Sequence, residues 1–359
     1  MSATAQYSPL DRMLHNAAFA GIGLQKVVAD VEDTIFRAEL EHIQPAPPVF
    51  VTSLPRAGTT LVLELLSKLP SVATHTYRQM PFLLCPLLWE KVSRGFRREA
   101  ALAERAHGDA VMIGFDSPEA FEEAIWRAWW PQKYAGGRIA LWDAADDEED
   151  FDTFFANHMK KIIAIRDAAQ PRARRYVSKN NGNIARTRFL ARHFPQSSIV
   201  VPIRDPLAHV CSLYRQHLRF SQTHAGDAFA KHYMNSIGHF DFGANLQPVD
   251  FGAQYGGPSS SRGADAPSFW LDYWIAAFSA LGDYKSPNMT FVAYEKLCTE
   301  PEATLDKLLA QIGENEPGEA RRLAAAVRDG EPKPPDDPGL DPARLAHARE
   351  IYRALVAGG

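Results

Sequence analysis

The chain has 359 residues, 46% of them hydrophobic and 23% charged, with a formal net charge of −4. This is the composition of a globular protein with a sizeable core, and one large α/β domain accommodates the length. The balance excludes a bulk basic field for nucleic acid or an anionic membrane, so an anionic ligand needs a local cationic site.

Residues 10–43 carry apolar side chains at helical spacing, among them Leu14, Ala17, Ala18, Val27, Val28, Val31, Ile35 and Leu40. This predicts one or two amphipathic helices on the outside of a core. The apolar patch 17–24 is a poor signal peptide, and no window approaches the ~18 apolar residues of a membrane-spanning helix. A cytoplasmic location with no transmembrane segment is the expectation. Prolines at 45, 47 and 48 break the helical pattern.

Val49-Phe50-Val51 reads as a strand, residues 52–60 as a tight loop and 61–69 as a helix. A second strand is expected over 72–77 and a helix over 81–92. A further helix is expected over 119–130, with Ser117 as N-cap and Pro118 in its first turn. An acidic turn at 143–152 leads into a helix over 151–165. A strand over 175–178, a helix over 184–194, a strand over 199–203 and a helix over 207–218 follow. Residues 220–265 are mixed, with a loop over 256–263. A helix over 269–281, a strand over 289–293, a helix over 301–312, a Pro- and Asp-rich loop over 331–342 and a last helix complete the chain. Strands alternating with helices predict an α/β fold with a parallel central sheet flanked by helices. The expected division is an N-terminal helical segment, 1–47, a main domain, 48–312, with an acceptor-side insertion at 220–265, and a C-terminal helical segment, 313–359. In such sheets ligands sit at the C-terminal strand ends, where the polar motifs of this sequence fall.

The segment Ser53-Leu54-Pro55-Arg56-Ala57-Gly58-Thr59-Thr60 follows a strand and opens a helix. Gly58 permits a tight turn, and the first-turn amides and helix dipole favour an anion. Arg56 adds a permanent charge with bidentate donors, and Thr59 and Thr60 add hydroxyls. A nucleotide-triphosphatase loop would place Lys after the last glycine, whereas here the cation precedes Gly58. No strand ends in an obvious magnesium-binding Asp; Asp205 reads as a helix cap or a partner for a cation.

Taken together, these segments resemble the sulfotransferases that use 3′-phosphoadenosine-5′-phosphosulfate (PAPS), whose fold is similar to that of P-loop nucleotide-binding proteins. Leu54 to Thr60 resembles the family's 5′-phosphosulfate loop, in the Arg form of the tyrosylprotein sulfotransferases; the cytosolic enzymes carry Lys there. Arg204 and Ser212, eight residues apart on a strand end and the following helix, resemble the family's 3′-phosphate site. Lys179 resembles the lysine that contacts the transferring sulfuryl group. The segment Phe291 to Leu297, with Tyr294 and Glu295, resembles the family's Tyr-Glu-x-Leu segment. The resemblance covers roughly 48–312 and looks nearest to uncharacterised bacterial sulfotransferases. It implies transfer of a sulfuryl group to a hydroxyl or amine of a glycan, lipid or small metabolite, with release of PAP. The implied donor contacts are Pro55, Arg56, Ala57, Gly58, Thr59, Thr60, Arg204, Ser212 and Tyr294.

Sulfuryl transfer needs in-line positioning and charge stabilisation, which Arg56, the loop amides and Lys179 supply without a metal. A hydroxyl acceptor also needs a base. The tyrosylprotein group has a Glu just after the second strand, but residues 74–80 here hold no carboxylate. His75 is in the right stretch and has a suitable pKa. Glu122 and Glu123 follow, then Asp116; Arg78 suits an anionic acceptor or a carboxylate pair equally. Phe121, Trp126, Trp129, Trp130 and Trp142 read as core before acceptor wall, as do Phe269, Trp270, Tyr273 and Trp274. Cys85, Cys211 and Cys298 read as buried thiols of a reducing compartment, and His217, His224, His232 and His239 match no metal spacing. The alternatives are a P-loop kinase or nucleotide hydrolase, and a non-catalytic PAP-binding protein. The acceptor and the oligomeric state have no sequence signature.

Overall fold

The structure is a computed structural model that describes residues 22–93, 103–104, 112–113, 121–258, 260–327 and 338–358. The readings at Leu14, Ala17, Ala18, Asp116, Ser117 and Pro118, and most of the 331–342 loop, lie outside the described residues.

In chain order the elements are α1 (Ile22–Ile35), α2 (Arg37–His42), β1 (Ala46–Val51), α3 (Thr59–Leu66), β2 (Val72–Ala73) and α4 (Pro86–Ser93). A two-residue antiparallel pair follows, β3 (Ala103–Glu104) with β4 (Met112–Ile113). Next come α5 (Glu122–Trp129), α6 (Phe151–Ala169), β5 (Arg175–Lys179), α7 (Thr187–His193), β6 (Ser198–Ile203) and α8 (Pro206–Gly226). The last are α9 (Ala228–Ser236), α10 (Pro267–Asp283), β7 (Met289–Ala293), α11 (Tyr294–Thr299), α12 (Pro301–Gln311), α13 (Glu319–Ala324) and α14 (Pro342–Ala357).

Five strands form one parallel sheet in the order β2-β5-β1-β6-β7. The fold class is therefore α/β with helices on both faces, as expected. Central strand β1 shows why. Val49, Phe50 and Val51 are all buried, and alternate side chains serve opposite faces. Val49 and Val51 join the core under α3 and α12, with Val62, Leu66, Leu305 and Leu308. Phe50 joins the other core and packs on Phe155 and Phe194.

Local chemistry explains the differences from expectation. Strand β1 starts at Ala46, inside the proline stretch, because its register breaks between Ala46 and Val49, where Pro47 and Pro48 have no N–H for the ladder. Strand β2 stops at Ala73, short of the expected 77. There a capping box takes over: the Gln79 carboxamide accepts from Thr76 N–H at 2.6 Å, and Thr76 Oγ1 accepts from Arg78 N–H at 3.3 Å. These local bonds turn the chain into a single helical turn over Tyr77–Gln79. Helix α8 runs eight residues past the expected 218, to Gly226, and α9 follows at once behind its cap, Asp227. The front of the expected insertion is thus helical.

Candidate functional site

The loop between β1 and α3 lies at the C-terminal edge of the sheet. Its backbone enters the left-handed region at Arg56, φ 70°, and at Gly58, φ 101°. Successive left-handed turns gather backbone N–H groups around a concavity. Gly58 is required twice over. Its φ is strained for any L side chain, and a Cβ there would sit 2.6 Å from Cδ2 of Tyr294. No side chain caps α3, so its first-turn amides face the loop opening, and the Ser53 hydroxyl is buried without a hydrogen-bond partner.

Three cationic residues stand at the ends of three neighbouring strands. Lys179 ends β5, in register with Val51 of β1, Arg56 follows β1, and Arg204 follows β6. All three are half-buried. Arg204 donates Nη1 to the Arg56 carbonyl at 3.4 Å, and its guanidinium lies 4.9 Å from the Tyr294 ring centre. Its Nε is buried with no hydrogen-bond partner, and among the described residues no carboxylate pairs with it. Ser212, two turns along α8, accepts from Arg56 Nε at 3.3 Å. The residues expected at the two phosphates thus form one continuous group.

Asp205 is occupied elsewhere. Its side chain caps α8 by accepting from Ala208 N–H at 3.0 Å, and its own N–H donates to Glu295 at 2.9 Å. The other Glu295 oxygen accepts from Tyr352 at 2.7 Å, which ties the Tyr-Glu segment to α14.

Sequence reasoning passed over two residues beside the loop. Asn181 receives the Thr59 hydroxyl at its side-chain oxygen and the Thr52 hydroxyl at its carbonyl, each at 3.3 Å. Its amide donates at 2.8 Å to Asp241, a half-buried carboxylate from the 220–265 stretch. The Asn-Asn-Gly run after β5 was a visible signal for the first. Asp241 had none, because it joins the site only through the fold.

The expected bases are buried among hydrogen-bond partners. His75 is 2% exposed, its Nε2 is 2.8 Å from Nε2 of His158, and its ring meets Tyr176 edge-on. Burial lowers its pKa to about 4. It is a core residue because α6 covers the end of β2. Glu122 and Glu123 are buried rather than on a solvated helix face. Glu122 accepts from Trp126 Nε1 and Tyr176 OH at 2.8 Å and from Asn183 at 2.9 Å. Glu123 receives Arg186 at both oxygens, with Tyr134 and Asn180 beside it. Burial alone would raise the Glu123 pKa, but Arg186 and these hydrogen bonds outweigh it and hold the carboxylate below its usual range. The Arg186 guanidinium is stacked between Trp126 and Trp142, at 4.7 and 4.3 Å. The five aromatics from Phe121 to Trp142 are core, as are Phe269, Trp270, Tyr273 and Trp274. Arg78 is half-buried in the turn after β2.

His217 and His224 work as backbone acceptors: their Nδ1 atoms receive the N–H groups of Gly243 and Ala244 at 3.2 and 3.1 Å. His232 is exposed. No group of three potential metal ligands occurs among the described residues. The three cysteines are buried free thiols, and burial pushes Cys85 up to about 12. No helix among the described residues is long and apolar enough to cross a membrane.

A parallel sheet with a cationic loop at its carboxyl edge, opening a helix, has the charge and geometry that suit an anionic ligand. The sulfotransferase family profile matches residues 47–243, more than half of the chain, from within β1 to just past Asp241, and the chain belongs to that family. Among solved structures it is similar to the sulfotransferase STF9 of Mycobacterium avium, at 14% identity and TM-score 0.50, covering 98% of this chain and 86% of that one. The sulfotransferase STF1 of Mycobacterium tuberculosis H37Rv matches at 16% identity and TM-score 0.48, covering 94% and 84%. No curated protein matches the sequence.

Proposed function

We propose that this sulfotransferase-family chain transfers the sulfuryl group of PAPS to a hydroxyl or amine of a glycan, lipid or small metabolite and releases PAP. The observation that carries this reading is the row of Lys179, Arg56 and Arg204 at the ends of β5, β1 and β6, around an uncapped helix N-terminus. In this reading the loop amides and Arg56 hold the 5′-phosphosulfate. Lys179 meets the charge that builds as the sulfur–oxygen bond to the 5′-phosphate breaks. Arg204, with its unpartnered Nε, and Ser212 take the 3′-phosphate. The chain's own cations supply this charge, so the reaction runs without a metal. With His75, Glu122 and Glu123 buried in structural hydrogen bonds, Asp241 takes the proton from the acceptor's oxygen or nitrogen as that atom bonds to sulfur. A kinase or hydrolase reading has less support, because no Lys follows Gly58 and Asp205 is used as a helix cap.

The test is calorimetric titration of PAP without magnesium, into the wild type and Arg204→Ala. Micromolar binding that the variant weakens about a hundredfold supports the donor assignment, since charge-assisted hydrogen bonds account for about 2–3 kcal/mol. Absence of binding, or binding indifferent to Arg204, overturns it. Asp241→Asn should keep PAP affinity and lose about a hundredfold in transfer of label from PAPS to a metabolite, glycan and lipid extract. Binding with no transfer by the wild type would leave a PAP-binding protein.

A further inference from the structure

We propose that His209 is a positioning residue that holds the phosphate loop open for its ligand through the Pro55 carbonyl, in a tautomer set by Trp274. The inference rests on the loop's assignment to an anion. It adds a residue that contacts no ligand and lies 154 positions from the carbonyl it holds.

His209 is fully buried on α8, between Arg204 and Ser212. Its Nε2 is 2.7 Å from the Pro55 carbonyl, and its Nδ1 is 3.1 Å from the indole Nε1 of Trp274 on α10. The indole nitrogen carries a hydrogen and can only donate. Nδ1 must therefore be the bare nitrogen, and the single ring proton sits on Nε2, directed at Pro55. Both ring nitrogens are used, and the ring is neutral. Its surroundings agree: burial, with Arg204 and Arg56 near, brings its pKa to about 3.

The consequence lies in the loop backbone. A loop that binds an anion through amides must turn its carbonyls away, because a carbonyl facing inward repels the ligand. Here two consecutive carbonyls are held by side chains, Pro55 by His209 on α8 and Arg56 by Arg204 at the end of β6. Between them the chain takes the left-handed conformation at Arg56, φ 70°, which is costly for a residue with a side chain and persists where neighbours impose it. His209 is the neutral half of this pair of anchors. It keeps its hold when a ligand draws the Arg204 guanidinium toward phosphate.

The test compares His209→Gln, His209→Asn and Trp274→Phe with the wild type. A Gln amide reaches the place of Nε2 and can donate to Pro55, while an Asn amide reaches only the place of Nδ1. Two readouts are used: amide hydrogen exchange of residues 53–60 in the free protein, and PAP affinity by calorimetry. Asn at 209 should speed exchange in the loop and weaken PAP about tenfold, Gln should stay within about threefold of wild type, and Trp274→Phe should fall between. Exchange at β7, followed in the same samples, should not change, which separates loop release from general destabilisation. Unchanged loop exchange in His209→Asn, or equal loss in Gln and Asn, overturns the anchor. Failure of the wild type to bind PAP overturns the donor reading instead, and the exchange data still decide the anchor.

Discussion

Two charged clusters flank β5, and they use arginine in opposite ways. Behind the strand, Arg186 is fully buried, stacked between two indoles, and both of its Nη groups end on protein oxygens of Glu123, Asn183 and Tyr134. In front, at the strand ends, Arg204 is half-exposed, makes one long hydrogen bond to a carbonyl, and leaves Nε without a partner. The Nε of Arg186 is unpartnered as well, so the difference lies in the Nη groups: four short bonds at 2.7–2.8 Å for Arg186 against one at 3.4 Å for Arg204. In a folded chain, Nη capacity left unused distinguishes a charge held for a ligand from one that supports the structure. Sequence alone shows an Arg in both places.

Substitutions on the two sides should therefore separate stability from binding. The largest effect is expected behind the strand. Glu123→Ala removes the carboxylate from a buried ion pair whose atoms lie within 2.8 Å, and leaves Arg186 between the indoles without its paired carboxylate. Breaking such a pair costs about 3–5 kcal/mol, read as a lower urea midpoint. Gly182 passes so close to Glu123 that a Cβ would lie 2.3 Å from its Oε2, so the vacated space falls inside a tight loop contact. Lys179→Ala is the counterpart in front. Its expected signature is a fall of about a hundredfold in labelled sulfuryl transfer, with PAP affinity within about threefold and an unchanged urea midpoint. If Glu123→Ala left stability intact, or Lys179→Ala lowered it by more than about 1 kcal/mol, the contrast between the clusters would fail.

Much of the front was legible in the sequence because it is local. A strand, a glycine turn and a helix carry the loop within about fifteen consecutive residues, and Arg204-Asp205-Pro206 announces a strand end and a helix start in three. The back was not legible. Glu122 and Glu123 on an amphipathic helix look solvated until Tyr176, Asn180 and Arg186 are brought onto them from more than fifty residues away. His75 stands in the stretch where a base is expected and has a suitable ordinary pKa, but α6 closes over the ring, which the local sequence does not show. Asp241 and His209 belong to the same class, since their partners depend on how α8 and the chain beyond it pack against the loop.

The smallest effect concerns the histidine pair between β2 and α6, which the contrast places on the structural side. His75 and His158 share one hydrogen bond at 2.8 Å, so one ring donates and the other accepts, and both are neutral. Burial brings His75 to about 4, and burial, with His75 and Lys161 beside it, brings His158 well below 6.5. Unfolding returns both rings to the ordinary value of 6.5. Below that pH the unfolded chain binds more protons than the folded one. Stability is then full above about pH 6.5 and falls as the pH drops toward 4, by up to about 1.4 kcal/mol per pH unit for each ring. His209, His217 and His224 shift in the same direction and add to the slope. Replacing the pair together, His75→Leu with His158→Phe, removes donor and acceptor at once and should change neutral-pH stability by less than about 1.5 kcal/mol. The slope of urea stability between pH 4.5 and 6.5 should flatten by about one to two proton equivalents. An unchanged slope would mean that the rings reach water or carry charge in the folded chain, and His75 would return as a candidate base.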